Sequence, residues 1–459
     1  MSIGNIRHVR SSIIVCLDIL AALAIFSTIY YLRLKELPNY QSINLWLIVF
    51  TFILTLFLSG TYFRQRSSDL PALPIRTFFV CLLGGAVCIL WVYLLGPNAF
   101  NKYFGRGVLP FGTVFLGIVA TGTRFAINRL YHIQEKGISL LYLGYSKSAA
   151  AFLQELSVHA EVRSITIASD KKEAAENSQK ILGRVKIMPL KSANKLLEKN
   201  WSTIIIDPEH QPDSKTTNKL IRTRLTGTPI LSLADYYEKN WFMVPVQHIK
   251  DEWFIQTQGF SMRPNAVSQR IKRAIDVFLA FVLLICASPI ILLCCVLIKL
   301  SSRGPVFFSQ ERVGMQGKAF VIHKLRTMKA NAEPNGAQWA KSNDPRITFV
   351  GNFLRKSRLD ELPQCWNVLK GEMSFVGPRP ERPEFTQKLS KVIPYYDLRH
   401  MVKPGITGWA QVIFPYGASE KDALKKLQYE LFYIKNRSLL LDLNIMIRTS
   451  FTVFQRGGR

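Results

Sequence analysis

The sequence predicts three consecutive regions: a bundle of four membrane-spanning helices, a small α/β domain, and an α-rich domain that meets the membrane through one further apolar helix. Three observations support this prediction. Residues 1–136 hold four apolar stretches, residues 137–259 alternate short apolar strands with polar helical stretches, and residues 260–459 become polar after an apolar stretch at 274–299. At 459 residues the chain is longer than one domain usually is, so several domains are expected.

The formal net charge of +28 indicates acidic partners, which could be nucleic acid, anionic lipid or a phosphorylated substrate. Several Lys/Arg clusters lie beside apolar stretches, which favours a membrane with an anionic cytoplasmic leaflet. We expect no nucleic-acid partner, because no helix-turn-helix, zinc-finger or ribonucleoprotein motif is present. The seven cysteines show no metal-binding spacing, so they are interpreted as packing residues in a reducing compartment.

The four apolar stretches of the first region are 12–32, 43–63, 77–95 and 108–123. A helix needs about 20 residues to cross a bilayer, and short loops join these stretches, so we expect four spans. A modest excess of Lys and Arg places both ends of the bundle in the cytoplasm. Glycines within the spans favour close helix packing and are compatible with a homodimer. Asp18 is the one acid deep in the spans, so no transport pathway is expected.

The second region reads as a Rossmann-like α/β domain with a parallel sheet. A helical run at 148–156 follows the first of its predicted strands. The predicted strands are 138–143, 163–168, 202–206 and 228–233. The sequence LYLGYSKSAA stands where a dinucleotide-binding fold carries GxGxxG, but Gly144 alone matches. We therefore expect a structural or regulatory role for this domain, and no dinucleotide.

The apolar stretch 274–299 would be a fifth crossing by hydropathy alone. Basic residues mark both of its ends as cytoplasmic, and Ser288-Pro289 lies in its middle. Proline removes a helical hydrogen bond, and the serine can satisfy a freed group. We therefore predict a broken, re-entrant helix that enters and leaves by the same face. The alternative, a single proline-kinked crossing, would place the rest of the chain outside the cell.

An adjacent acid pair, Asp360-Glu361, lies at the centre of the third region. The pattern predicts a helix that continues to Gly371 after Pro363, which would put both carboxylates at a helix N-terminus. Neighbouring helical residues point in different directions, so the two acids are expected to have different tasks. Capping acids beside solvated arginines would be the ordinary interpretation.

Two arginines near the acid pair favour a phosphate site instead. Arg355 precedes the pair, and the rigid sequence Gly377-Pro378-Arg379-Pro380 follows it. Lys324 and Arg326 belong to a second basic cluster that suits a phosphate or a nucleotide, although a solvated loop explains these residues equally well. The aromatic, turn-rich segment around Trp409 could line a substrate path or belong to the core.

A series of motifs resembles one known family. The motifs are KRAIDVFLAF, GPVFFSQERVG, HKLRTM, NDPRIT, RLDELPQ, NVLKGEMSFVGPRP and KPGITGWAQV. From Arg270 onwards the chain resembles the polyprenyl-phosphate hexose-1-phosphate transferases, which are monotopic phosphoglycosyl transferases of bacterial glycan assembly. With its upstream regions, it resembles the large subclass that makes exopolysaccharide lipid intermediates.

The resemblance implies transfer of a hexose-1-phosphate from a UDP-sugar to undecaprenyl phosphate at the cytoplasmic face of the bacterial inner membrane. Asp360, in the LDELPQ motif, would be the nucleophile that forms an aspartyl phosphosugar and releases UMP. Glu361 would bind Mg²⁺ or assist proton transfer, and both acids are candidate metal ligands. The predicted phosphate-binding residues are Lys324, Arg326, Arg355 and Arg379. The residues themselves, without the resemblance, indicate only a site for an anionic substrate.

Two other functions are weighed against this one. A glycosyltransferase or glycosidase could use paired carboxylates, but glycosidases need them on opposite faces of the sugar, which adjacent residues provide poorly. A non-catalytic membrane scaffold or regulator of polysaccharide assembly would instead use the α/β domain as its partner site. The hexose is left open among glucose, galactose and N-acetylated sugars.

Overall fold

The structure is a computed structural model that describes ten stretches of the chain. They are residues 3–62, 72–95, 107–134, 138–158, 162–170, 185–249, 251–260, 266–329, 344–414 and 419–456. The chain divides into two compact units, Met1–Tyr236 and Tyr237–Arg459.

Each apolar stretch of the first region forms a helix. The helices are α1 (Ile3–Leu34), α2 (Ile43–Leu58), α3 (Ala72–Leu95) and α4 (Val108–Gln134). The parts Ser12–Leu34 and Val108–Ile127 are long and apolar enough to cross a membrane, whereas Ile43–Leu58 and Thr77–Tyr93 are shorter. The four helices are confirmed, and the number of spans stays a prediction. The loops 63–71 and 96–106, whose charges contribute to the predicted orientation, lie outside the described residues.

A buried ion pair joins α1 to α4. Arg124 donates from Nη1 and Nη2 to the two carboxylate oxygens of Asp18, at 3.0 and 2.7 Å. The Tyr62 hydroxyl donates to the same carboxylate at 2.7 Å. Both charged side chains are 1% exposed. The acid within an apolar helix is therefore paired and hydrogen-bonded, as a buried charge must be.

The α/β part of the first unit contains a five-stranded parallel sheet with the order β3-β2-β1-β4-β5. Its strands are β1 (Ile138–Leu143), β2 (Val162–Ala168), β3 (Val185–Met188), β4 (Thr203–Ile206) and β5 (Ile230–Ser232). The accompanying helices are α5 (Lys147–Val158), α6 (Ala193–Leu196), α7 (Ser214–Leu225) and α8 (Leu233–Trp241), which contains the boundary between the units. The predicted parallel α/β arrangement is confirmed, and β3 is a strand that the sequence did not predict.

The strand order reverses between β1 and β4, which is where sheets of this type usually bind ligands. At this point Asp207 follows β4 and is 2% exposed. Its Oδ2 accepts from the Ser146 backbone N–H at 3.2 Å, the Ser146 hydroxyl at 2.8 Å and the Tyr142 hydroxyl at 3.0 Å. The hydrogen-bond donors at the start of the loop into α5 are therefore bonded to the Asp207 carboxylate of the chain itself.

Gly144 is explained by the same close packing. Its φ is 93°, and a Cβ at this position would lie 2.6 Å from His210 Cβ and 2.9 Å from Asp207 Cβ. The residues after β4 therefore approach Gly144 so closely that no side chain fits there, and this packing is sufficient to explain the glycine.

The second unit is predominantly helical, as predicted. Its helices are α9 (Asp251–Gln256), α10 (Ala266–Ser301), α11 (Phe349–Ser357), α12 (Gln364–Lys370), α13 (Pro383–Val392), α14 (Trp409–Ile413), α15 (Glu420–Lys435) and α16 (Leu439–Arg456). Its strands are the antiparallel pair β6 (Phe307–Val313) and β7 (Ala319–Leu325), and the parallel pair β8 (Ser374–Val376) and β9 (Gly405–Thr407). Residues 237–259, which the sequence prediction placed at the end of the α/β domain, fall within this compact unit. The position at which one folding domain ends and the next begins stays a prediction.

The apolar helix α10 contains Pro289 without any interruption of the helix. The predicted break is therefore wrong, because the helical arms before and after Pro289 form one continuous helix. Proline lacks the N–H that would bond to the carbonyl of Ile285, and the Ser288 hydroxyl donates to this carbonyl at 2.8 Å. The predicted role of the serine is confirmed.

Both arms of α10 pack within the second unit. Ala280, before the proline, shares a hydrophobic cluster with Ile322 of β7. Cys294 and Ile298, after the proline, share a cluster with Leu325 of the same strand. A helix of 36 residues is about 54 Å long when straight, so a single crossing would carry one arm away from the unit. This packing supports re-entry, which stays a prediction.

Three glycines bring the GPRP and PGITG motifs together. A Cβ at Gly405 would lie 2.1 Å from the backbone nitrogen of Gly377, and a Cβ at Gly408 would lie 2.2 Å from its carbonyl oxygen. Trp409 is 5% exposed, and its ring stacks on Phe432 with centroids 5.9 Å apart. Of the two interpretations of this aromatic segment, the structure therefore supports the packed core.

Candidate active site

The acid pair lies between two short helices whose ends are fixed by local sequence. The Thr348 hydroxyl accepts from the Gly351 N–H at 3.0 Å and caps α11, and the residue after this helix, Arg358, has a φ of 59°. Leu359–Glu361 then forms a 3-10 helix before α12, and the residue after α12, Gly371, has a φ of 87°. The helix and its glycine terminus are as predicted. The position of the acids is corrected, since they lie in the 3-10 turn ahead of α12.

Glu361 is held by cations from three separate segments. Its Oε1 accepts from Lys324 Nζ at 3.0 Å and from Arg379 Nη2 at 2.7 Å, and Arg358 Nη1 lies at 3.8 Å. Burial by itself would raise the pKa of Glu361, but Arg379, Lys324 and Arg358 outweigh it and hold the pKa well below its usual range. Glu361 is therefore an ionised group and a weak proton acceptor at neutral pH.

Asp360 has the opposite environment. It is 8% exposed, and its Oδ1 is buried without a hydrogen-bond partner among the described residues. Burial, and next the negative charge of Glu361, raises the pKa of Asp360 to about 6, while Lys324, Arg355 and Arg358 oppose the shift. An unsatisfied buried oxygen costs folding free energy, so its presence calls for an explanation.

Arg355 is placed by the contact between two of the predicted motifs. Its Nε donates to the Thr327 hydroxyl at 2.9 Å. The Thr348 N–H donates to the Thr327 carbonyl at 3.0 Å, and a Cβ at Gly351 would lie 2.0 Å from that carbonyl oxygen. The start of α11 is thereby pressed against Thr327. The structure thus brings Arg355, Lys324 and Arg379 around the acid pair, as the sequence suggested.

Arg326 does not join this group. It is 6% exposed, and its guanidinium donates to the Arg303 carbonyl at 3.1 Å and to the Ser302 carbonyl and hydroxyl at 2.8 and 2.9 Å. These bonds fix the chain where it leaves α10. The predicted phosphate contact of Arg326 is corrected to this structural role.

Arg358 was not predicted from the sequence. Its left-handed backbone turns the chain from α11 into the 3-10 helix and leaves its guanidinium near Glu361. The second arginine of RKSRLDE was the available signal, but the identity of a non-glycine residue gives no indication of a positive φ.

Few protein ligands are available for a metal ion at the acid pair. The described part of the chain has no group of three or more His, Cys, Asp and Glu side chains that could hold one. Magnesium is usually bound by one or two carboxylates, with phosphate oxygens and water completing its shell. The orphaned Oδ1 of Asp360 suits such a sparse set, while Oε1 of Glu361 is already committed to Lys324 and Arg379. Asp360 therefore offers one oxygen that fits a sparse magnesium site, and the ion itself stays a prediction.

A comparison with known families gives the same result as the motifs. The model of the family described as "Bacterial sugar transferase" matches residues 267–456. A UDP-glucose:undecaprenyl-phosphate glucose-1-phosphate transferase of Caulobacter vibrioides is 40% identical over 200 residues, which are 42% of this chain and 75% of the relative. The chain belongs to the bacterial sugar transferase family. The resemblance seen in the sequence is thereby confirmed.

Longer members of the family match over part of their length. A UDP-N-acetylgalactosamine-undecaprenyl-phosphate N-acetylgalactosaminephosphotransferase of Aeromonas hydrophila is 42% identical over 239 residues, 52% of this chain and 55% of the relative. A UDP-glucose:undecaprenyl-phosphate glucose-1-phosphate transferase of Escherichia coli is 45% identical over 196 residues, 41% of each chain. The matches thus span about half the length of these two relatives, which are named for different sugars.

Proposed function

We propose that this protein transfers a sugar-1-phosphate from a UDP-sugar to undecaprenyl phosphate and so starts the synthesis of a lipid-linked exopolysaccharide. The observation that carries the proposal is the buried Oδ1 of Asp360, which accepts no hydrogen bond from the described residues although cations surround the acid pair. Such an oxygen keeps its lone pairs for an incoming electrophile. The names of the relatives supply the class of electrophile, a nucleotide diphosphate-sugar.

In the proposed first step, Asp360 attacks the phosphorus next to the sugar. A carboxylate oxygen–phosphorus bond forms, the bond from that phosphorus to the oxygen shared with UMP breaks, and UMP leaves with the electron pair. In the second step, a phosphate oxygen of undecaprenyl phosphate attacks the same phosphorus. The bond to Asp360 then breaks, and the diphosphate-linked sugar is released with the carboxylate restored.

The remaining residues neutralise and align the phosphates. Lys324, Arg355, Arg358 and Arg379 would compensate the charge of the diphosphate in an in-line displacement. The lowered pKa of Glu361 favours an orienting role over a general base. Asp360 would hold magnesium only until its Oδ1 attacks phosphorus, and Glu361 only through its second carboxylate oxygen, because Oε1 is held by Lys324 and Arg379. The ion would add positive charge at the diphosphate.

The proposed location is the cytoplasmic face of the inner membrane, where both substrates are accessible. The exposed apolar side chains of α10 suit insertion into lipid, and re-entry would keep the second unit on the side of the soluble UDP-sugar. The helix α16 (Leu439–Arg456) mixes apolar and cationic residues, which also suits a position in the membrane interface.

The test is to incubate detergent-purified protein with Mg²⁺ and either UDP-glucose or UDP-N-acetylgalactosamine, and to identify the nucleotide released. We expect one UMP per protein without undecaprenyl phosphate, and continued UMP release once it is added. Release of UDP would mean glycosyl transfer and would eliminate the Asp360 mechanism. Release of neither nucleotide would favour the non-catalytic scaffold.

A further inference from the structure

Arg399 is a buried arginine whose hydrogen bonds join Glu430 and Tyr396 to the backbone of the site residue Arg379. It lies in the 3-10 helix Tyr396–Met401 and is 4% exposed. Its Nε and Nη2 donate to the two carboxylate oxygens of Glu430 on α15, each at 2.9 Å, and its Nη1 donates to the Tyr396 hydroxyl at 2.6 Å. A fourth bond runs from Nη2 to the backbone carbonyl of Arg379 at 2.9 Å.

The stability of the fold does not explain such a pair. Removing two charges from water costs about as much as their attraction returns, and apolar residues of similar size often serve equally well. Burial raises the pKa of Glu430 even though Arg399 opposes the shift, so the desolvation cost is substantial. The explanation for this ion pair therefore lies in the geometry of the Arg399 guanidinium and its N–H donors.

That geometry fixes the backbone from which Arg379 extends. The carbonyl before it, on Pro378, accepts from the Gly405 N–H at 2.9 Å, and the carbonyl after it, on Pro380, accepts from Arg312 Nη1 at 3.1 Å. Arg399 holds the carbonyl of Arg379 itself. From this fixed backbone the Arg379 guanidinium reaches Oε1 of Glu361 at 2.7 Å.

We propose that Arg399 and Glu430 form a positioning pair that sets the orientation of Arg379 against the acid pair. This inference rests on the proposed function, in which Arg379 aligns the diphosphate of the donor. Neither residue needs to touch substrate. A displacement of about 1 Å at an aligning group can reduce a rate by about 100-fold, so the pair controls the chemical step through Arg379.

The test compares two ion pairs that each have one member on α15, one of them buried and the other largely buried. Arg399→Lys retains the charge but loses the fork. The double change Arg399→Met with Glu430→Leu removes both charges and keeps an apolar fill, so it folds even where a single change would not. The matched control is Lys435→Met with Glu238→Leu, because Lys435 also lies on α15 and its pair with Glu238 is 11% and 15% exposed.

Each protein is mixed with a saturating concentration of the UDP-sugar that releases UMP from the wild type, and the single-turnover rate and melting temperature are measured. We expect both Arg399 variants to lose about 10- to 100-fold in rate, and the Lys435/Glu238 variant to stay within about two-fold of wild type. The positioning role alone would be overturned if, in the Arg399/Glu430 and the Lys435/Glu238 variants alike, the single-turnover rate fell in proportion to the loss in melting temperature. A wild-type rate in Arg399→Lys would overturn it too. A wild type that releases no UMP would overturn the proposed function, and the positioning role with it.

Discussion

Two buried aspartates show how differently this chain treats the same functional group. Asp207, which directly follows β4 in the first unit, accepts from Tyr142 and twice from Ser146 through Oδ2, and from the Glu209 N–H at 2.9 Å through Oδ1. Asp360, in the second unit, leaves Oδ1 buried without a hydrogen bond from the described residues. Both are less than 10% exposed. Burial of an acid therefore does not distinguish these two residues, whereas hydrogen-bond satisfaction does, and we predict that the acid with the unsatisfied oxygen is the reactive one.

The comparison is also energetic. Four hydrogen bonds offset the desolvation free energy of Asp207, so its burial is compatible with a purely structural role. No hydrogen bond from the described residues offsets this free energy at Oδ1 of Asp360, and the negative charge of Glu361 adds repulsion. Proteins keep groups of this kind where function requires them and lose stability by doing so. The following predictions apply this contrast, beginning with the largest effect.

Asp360→Asn should abolish turnover and leave the protein folded. The amide cannot attack phosphorus, and loss of an activated nucleophile typically costs at least about 1,000-fold in rate. The raised pKa of Asp360 means that its ionised form is disfavoured in the folded state, so stability falls as pH rises from the unfolded value towards about 6. At neutral pH the variant should therefore melt at the same temperature as wild type or higher. The stoichiometric UMP burst and a thermal melt measure both effects, and a burst of normal size would remove Asp360 as nucleophile.

Glu361→Gln should reduce the rate by about 100-fold without eliminating the burst. A neutral amide no longer compensates Lys324, Arg358 and Arg379, so these cations lose their common anchor. The change also removes the charge that helps to raise the pKa of Asp360, so the pH midpoint of the burst rate should move down. Lys219→Gln, at an exposed pair with Glu198 in the first unit, is the control. An unchanged midpoint would contradict the coupling of the two acids.

The wild-type burst rate should rise about tenfold per pH unit below pH 6 and level off above it, because the pKa of Asp360 is about 6 and only its ionised form attacks. The measurement should use the UDP-sugar without undecaprenyl phosphate, since the phosphates of a nucleotide sugar do not titrate in this range, whereas a phosphate monoester does. A flat profile between about pH 5 and 8 would mean that Asp360 is ionised throughout, and the burial argument would fail.

Local patterns sufficed for much of this structure. Alternating apolar and polar runs predicted the parallel sheet of the first unit, and Gly371 marked the end of α12. Arg355 and Arg379 were predicted from their closeness to the acid pair in the sequence, and Lys324 from the family resemblance. The sheet and the helix end depend on short-range periodicity or on the fixed backbone requirements of glycine, which are visible in the residues themselves.

The errors arose where a local rule met a tertiary contact. Lys324 and Arg326 would share a face if β7 continued, but the strand ends at Leu325 and Arg326 turns to the end of α10 instead. Pro289 predicted a break, yet Ser288 satisfies the freed carbonyl and the helix continues. Arg399 could not be assigned at all, because its partner Glu430 is 31 residues away along the chain.

The smallest kinetic effect, and the sharpest use of the contrast, is expected for Asp207→Asn. An amide oxygen can still accept from Ser146, but the NH₂ group would face donors that a carboxylate satisfies, so stability should fall by about 1–3 kcal/mol. The UMP burst rate should stay within about two-fold of wild type when the folded protein is assayed, because the change is structural. Denaturant unfolding and the burst assay separate the two quantities. A burst that falls at least as far as in Glu361→Gln, with unchanged stability, would show that Asp207 serves the reaction and that hydrogen-bond satisfaction does not separate structural acids from catalytic ones.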